Sequence, residues 1–172
     1  MPAVYTLSAN FFEQLKQHEY SYIASVLFQF TNTQNQYKIA VDTNSHIILK
    51  YRELTQDKFY ADVIKGWLEM LANIPSSMQK YDVDLSHINN AEDMCIELCS
   101  HVNGNKTMII HSSSSFYKEL DDNNTISYNE KTIHIIDKEE AQAQLNNNST
   151  TYITDSMVAG HDIIDSKNNY NK

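Results

Sequence analysis

Tyr37-Lys-Ile-Ala-Val-Asp-Thr-Asn-Ser-His-Ile-Ile-Leu49 is the stretch whose reading decides the fold. Ile39, Ala40 and Val41 are apolar without alternation, the mark of a strand buried on both faces of a sheet. Asp42 follows at once, and Thr43, Asn44 and Ser45 favour a turn or a helix cap. Open α/β sheets gather ligands in the crevice beyond the carboxyl ends of their strands, which is where Asp42 falls. A carboxylate there loses hydration and stays ionised only with hydrogen bonds or a cation to compensate. Two readings therefore compete: Asp42 caps the next turn through backbone N–H groups, or it binds a metal.

Working outward, Ser8 or Asn10 caps an amphipathic helix predicted over residues 8–30, with a break near His18. Its apolar positions are Phe11, Phe12, Leu15, Tyr20, Ile23, Ala24, Leu27 and Phe28. The pattern leaves open whether this helix, with Phe30 at its end, packs on its own sheet or on another protein. After the Asn44-Ser45 turn, His46–Tyr51 reads as a short strand or the first turn of a helix. A further helix is predicted from Asp57 to Leu71, burying Phe59, Val63, Trp67, Met70 and Leu71, and closed by Pro75. Residues 80–85 alternate with period two, as a strand or an extended connection does. Asn90 caps a helix whose stripe is Met94, Cys95, Leu98, Cys99 and Val102, and Gly104 suits its end. Glu92 and Asp93 in its first turn complement the helix dipole.

Thr107–His111 is a second buried strand, Ser115–Leu120 a helical turn, and 121–125 a solvated loop. Lys131–Ile136 is a third strand, with Asp137 capping a closing helix over 138–145. Buried strands alternating with helices predict an α/β fold, a three-layer α/β/α sandwich around a central, mostly parallel sheet. Residues 1–145 form the one domain expected. Residues 146–172 read as a poorly ordered polar tail, in which Tyr152-Ile153 and Met157-Val158 are the segments apolar enough to dock.

Composition narrows the function. The 172 residues suit a single core, and a mean hydropathy of −0.50 suits a water-soluble chain. No apolar run approaches the length of a transmembrane helix, and the amino end lacks the basic and apolar blocks of a signal peptide, so a cytosolic protein is expected. Cys95 and Cys99 share one helix face, as a reduced core pair would, and His101 alone does not complete a metal site with them. A net charge of −9 argues against nonspecific nucleic-acid binding, though not against contact mediated by cations. Three glycines cannot build a P-loop or a dinucleotide fingerprint. The histidines are scattered, and His111 beside Ser112-Ser113 lacks the Gly-x-Ser-x-Gly setting of a hydrolase nucleophile. Tyr51, Tyr60 and Tyr81 suit either stacking on bases or ordinary packing.

The order of these elements, and the wording of several of them, resembles the PIN-like domains of metal-dependent ribonucleases. Ile39-Ala-Val-Asp-Thr-Asn44 is similar to that family's strand ending in aspartate, a small residue and Asn. Ala91-Glu-Asp-Met-Cys-Ile-Glu-Leu-Cys99 resembles its acid-led helix. Met108-Ile-Ile-His-Ser-Ser-Ser-Ser-Phe116 resembles its strand, polar turn and aromatic, and Ile133-His-Ile-Ile-Asp-Lys-Glu-Glu-Ala141 its last strand and acidic helix. The resemblance spans residues 37 to 145. It implies cleavage of RNA by water activated on Mg²⁺ or Mn²⁺, with Asp42 as first ligand, Asp93 as second, Glu92 as the alternative to Asp93 by one position, and Asn44 orienting an oxygen. It also implies a toxin or phage-defence setting. Ser113 stands where the family has a later aspartate, and a hydroxyl brings no charge. The alternative the resemblance implies is a PIN-like module that has lost its metal site and serves as a protein-binding subunit, in a hetero-complex or a homo-oligomer.

Overall fold

The middle of the sheet belongs to a strand the sequence reading missed. In a computed structural model that describes residues 2–13, 20–32, 37–54, 58–111 and 114–146, β1 (Ala3–Leu7) lies between two parallel neighbours. These are β2 (Tyr37–Asp42) and β4 (Thr107–Ile110), with Tyr5 opposite both Ile39 and Thr107. β3 (Met78–Tyr81) extends the sheet beyond β2, and β6 (Lys131–Asp137) extends it beyond β4. β5 (Thr125–Tyr128) pairs antiparallel with β6 at the far edge, giving the order β3-β2-β1-β4-β6-β5. The chain moves outward from β1 to β3, then returns across β1 to start β4. The direction of winding thus reverses between β1 and β4, the topological switch point of an open α/β sheet.

The predicted helix over 8–30 is observed as two helices within those bounds, and the strand that precedes them is the element missed. Ala3-Val-Tyr-Thr-Leu7 carries the β-branched and aromatic residues of a strand, and only then does the chain turn into α1 (Ala9–Glu13) and α2 (Tyr20–Gln29). The expected break at His18 lies outside the described residues. Residue 125, read as the end of a loop, instead opens β5. The β5–β6 hairpin turns through Asn129 and Glu130 at φ of 47° and 63°, the backbone of a type I′ turn. His46–Leu54 is helical (α3), and β3 begins and ends before most of the alternating residues 80–85.

α4 (Lys58–Ala72) buries Ile64, Trp67, Leu68 and Leu71 at the spacing of one helix face, while Met70 is 42% exposed and Val63 half-buried. The predicted stripe was rotated toward the neighbouring face, and the side chain of Phe59 lies outside the described set. α5 (Ala91–Ser100) is capped by Asn90, whose side chain accepts from the Asp93 N–H. Gly104, at φ 76°, serves the loop to β4 rather than the helix end, which closes at Ser100. Asp137 accepts from the Glu140 N–H at 2.8 Å and starts the last described helix, α6 (residues 138–146). The expected tail, apart from its first residue, lies outside the described residues.

Helices cover both faces of the sheet. Tyr5 turns its ring edge to Phe30 beside α2 and its hydroxyl to Gln144 on α6. Its neighbour Thr6, also buried, turns the other way, toward Cys99 on α5. Around α1, Phe12 stacks on Tyr51 with ring centroids 4.2 Å apart, and Trp67 donates to the Leu27 carbonyl at 2.9 Å, fixing α4 against α2. Among the described residues, no helix is long and apolar enough to cross a membrane.

Candidate functional site

Asp42 ends β2 in full burial, with 0% exposure, and its side chain bonds to the start of α3. Its Oδ2 accepts from the His46 N–H at 2.9 Å and lies 2.9 Å from His46 Nδ1. Its Oδ1 accepts from the Ile47 N–H at 2.9 Å. The first-turn amides of a helix have no intrahelical acceptor, so this carboxylate completes the start of α3. Asn44 sits exposed in the turn between them.

The switch point is built differently. β1 ends in Leu7, and Ser8-Ala-Asn10 bends into α1. Ser8 Oγ lies 3.0 and 2.9 Å from the two oxygens of Glu92, and the Asn10 N–H donates to Glu92 Oε1 at 3.1 Å. Glu92 therefore reaches from the first turn of α5 to the carboxyl end of the central strand. Burial raises its pKa above the ordinary 4.5, and the negative charges of Glu13 and Asp93 add to the effect. The Ser8 and Asn10 bonds pull it back only in part. Asp93, next along α5, is exposed. Across the switch, β4 leads into His111, buried, and then Ser114, whose side chain accepts from the Phe116 N–H. Ser113 and Ser112 lie outside the described residues.

The structure thus brings Glu92 to the crevice and leaves Asp42 sealed beneath α3. Ser8 and Asn10 were missed as site residues because β1 was missed. The signal was present: Ser8-Ala-Asn10 has the form of Asp42-Thr-Asn44, with a hydroxyl in place of the carboxylate. Mg²⁺ and Mn²⁺ want several charged oxygens around one point. Among the described residues, no group of three or more His, Cys, Asp or Glu side chains is placed to hold a metal ion. The buried Asp42 and the half-buried Glu92 are already engaged, Asp42 with α3 and Glu92 with Ser8 and Asn10, so this donor set as it stands does not fit such a cation.

A cleft of about 330 Å³ lies nearby, between α3 and the approach to α5, where His46, Leu49 and Lys50 face Ile88, Asn89 and Met94. Asp42, Glu92 and Asp93 are not among its walls. Cys95 and Cys99 are buried, and burial pushes the Cys99 thiol up to about 12 and the Cys95 thiol well above its usual value, so neither is poised as a nucleophile. The tyrosines suited to base stacking are occupied in packing. Tyr51 donates to the Leu7 carbonyl at 2.7 Å, Tyr81 is 9% exposed, and Tyr60 meets the ring of Tyr20.

Comparison with protein-family models, curated proteins and solved structures finds no match to this chain.

Proposed function

We propose that this chain is a PIN-like module without nuclease chemistry, acting as a protein-binding subunit. The observation that carries the reading is the state of Glu92. At the crevice where an open α/β sheet meets its ligand, the central strand ends in the hydroxyl of Ser8 rather than in an acid. Ser8 and the Asn10 amide then take up the carboxylate that reaches this point. Two neutral donors already occupy that carboxylate. A divalent cation would have to break those bonds, and the Asp42 carboxylate is already engaged in the cap of α3. The ribonuclease reading, with its toxin or phage-defence setting, needs Glu92 to be released from Ser8 and Asn10 and to act with Asp93.

The test is incubation of the purified chain with single-stranded RNA and Mn²⁺, beside Glu92→Gln, Asp93→Asn and Asp42→Asn. The expected outcome is no Mn²⁺-dependent cleavage by any of the four proteins. Cleavage by the wild type that Glu92→Gln abolishes would overturn the proposal and restore the metal-dependent ribonuclease.

A further inference from the structure

The sequence contains one Asn-Gly pair, Asn103-Gly104, and the fold places it in the loop between α5 and β4. The chain bends there, with Asn103, Gly104 and Asn105 all exposed and Gly104 at φ 76°. Next to an asparagine, glycine leaves its backbone nitrogen open to the neighbouring carboxamide, because no Cβ stands in the way. That nitrogen must also be free of other partners. Three other loop asparagines fail on this count. After Asn44, the Ser45 N–H donates to the Asp42 carbonyl at 3.1 Å, and after Asn123, the Asn124 N–H donates to the Asp121 carbonyl at 3.1 Å. After Asn124, the Thr125 N–H donates to Asp121 Oδ1 at 2.7 Å. No described residue engages the Gly104 N–H.

We propose that Asn103 is a site of spontaneous deamidation, which turns its neutral carboxamide into a carboxylate. The Gly104 nitrogen, giving up its proton to solvent, attacks Asn103 Cγ. A bond forms between them, the Cγ–Nδ2 bond breaks, and ammonia leaves with a proton, closing a five-membered cyclic imide. Water then opens the ring. Addition at Cγ yields aspartate, and addition at the Asn103 backbone carbonyl yields isoaspartate, whose main chain runs through the former side chain. Water is the one reagent consumed and ammonia the one product released. At an exposed position the new carboxylate stays hydrated, so burial does not oppose it. The change falls on a cleft of about 530 Å³ at the amino ends of β1 and β4, lined by Asn103, Gly104 and Asn105 together with Asn124 and His134. No lysine or arginine is among its described walls, so the added charge finds no cation in the cleft to pair with. A neutral lip thereby becomes acidic on a chain already at −9.

The experiment is incubation of the folded full chain over days at about pH 7 and about pH 8, with tryptic digestion and fragment mass spectrometry of residues 81–106. A sample digested at time zero sets the background. Asn103 is expected to exchange NH for O roughly tenfold or more faster than Asn89 and Asn90 in the same peptide. Its rate is expected to rise roughly tenfold between the two pH values, because the attacking nitrogen must lose its proton. Asn103→Gln, whose longer side chain closes a six-membered ring far more slowly, is expected to lose this reaction and the matching acidic form on ion exchange. Circular dichroism checks that the variant stays folded, and the comparison within the wild-type peptide carries the test if it does not. An Asn103 that stays intact, or converts no faster than Asn89 and Asn90, overturns the proposal. The RNA assay is independent of this result, so either reading can fail while the other stands.

Discussion

Glu92 shows how one hydrogen-bonded carboxylate shapes both the chemistry and the stability of the switch point. Burial raises its pKa above 4.5 more than Ser8 and Asn10 lower it. A carboxyl raised in this way stabilises the fold while protonated. That contribution is complete below the ordinary value and is lost as pH climbs through the raised one. Glu92→Gln cannot ionise, so it is expected to gain melting temperature relative to the wild type between about pH 4 and about pH 7. Parallel melting curves of the two proteins across that interval check this, and a difference that shrinks with rising pH would contradict it. Single residues also set the limit of the sequence reading. Asp42 and Glu92 are both acids at the boundary of a regular element, and nothing in their local wording says which one caps a helix beside it and which one reaches across the sheet.

The elements differ in how clearly they announce themselves. β2, β4 and β6 are apolar enough to be recognised, and α5 carries its own cap in Asn90. β1 is apolar but only five residues long, and its central place comes from pairing with the distant β2 and β4, while β5 is short and half polar and is held to β6 by a tight hairpin. The helical spacing of Phe11 and Phe12 with later residues marked the helices that follow Ser8 and gave no sign of the strand before it. At the junction of β2 and α3, Asp42→Asn keeps the shape but leaves one acceptor oxygen where two served the His46 and Ile47 amides. The expected cost is about 1–3 kcal/mol, measured by urea denaturation, because a buried amide is left without its partner. A variant as stable as the wild type would show that α3 does not depend on this cap.

For the molecule as a whole, the two cysteines report on the integrity of the core. Cys95 and Cys99 are each 0% exposed under the sheet, and burial holds the Cys99 thiol up to about 12. A thiol reagent is therefore expected to label them only when the domain opens globally, so the labelling rate should rise with urea in step with unfolding. Fast labelling of the native protein would mean that α5 lifts from the sheet on its own. The alternation of buried strands with helices was enough to state the α/β/α architecture and its mostly parallel sheet, since a run of apolar residues bounded by caps buries itself in few other ways. The acid at the end of β2, the capped start of α5 and the Asn103-Gly104 pair were equally open to inspection, because they are local. Only tertiary structure decided which strand runs through the middle. That choice moved the crevice from Asp42 to Ser8 and handed Glu92 to neutral donors. The physical reason is that strand order is set by pairing between segments far apart in the chain, and a side chain's partners follow from that order.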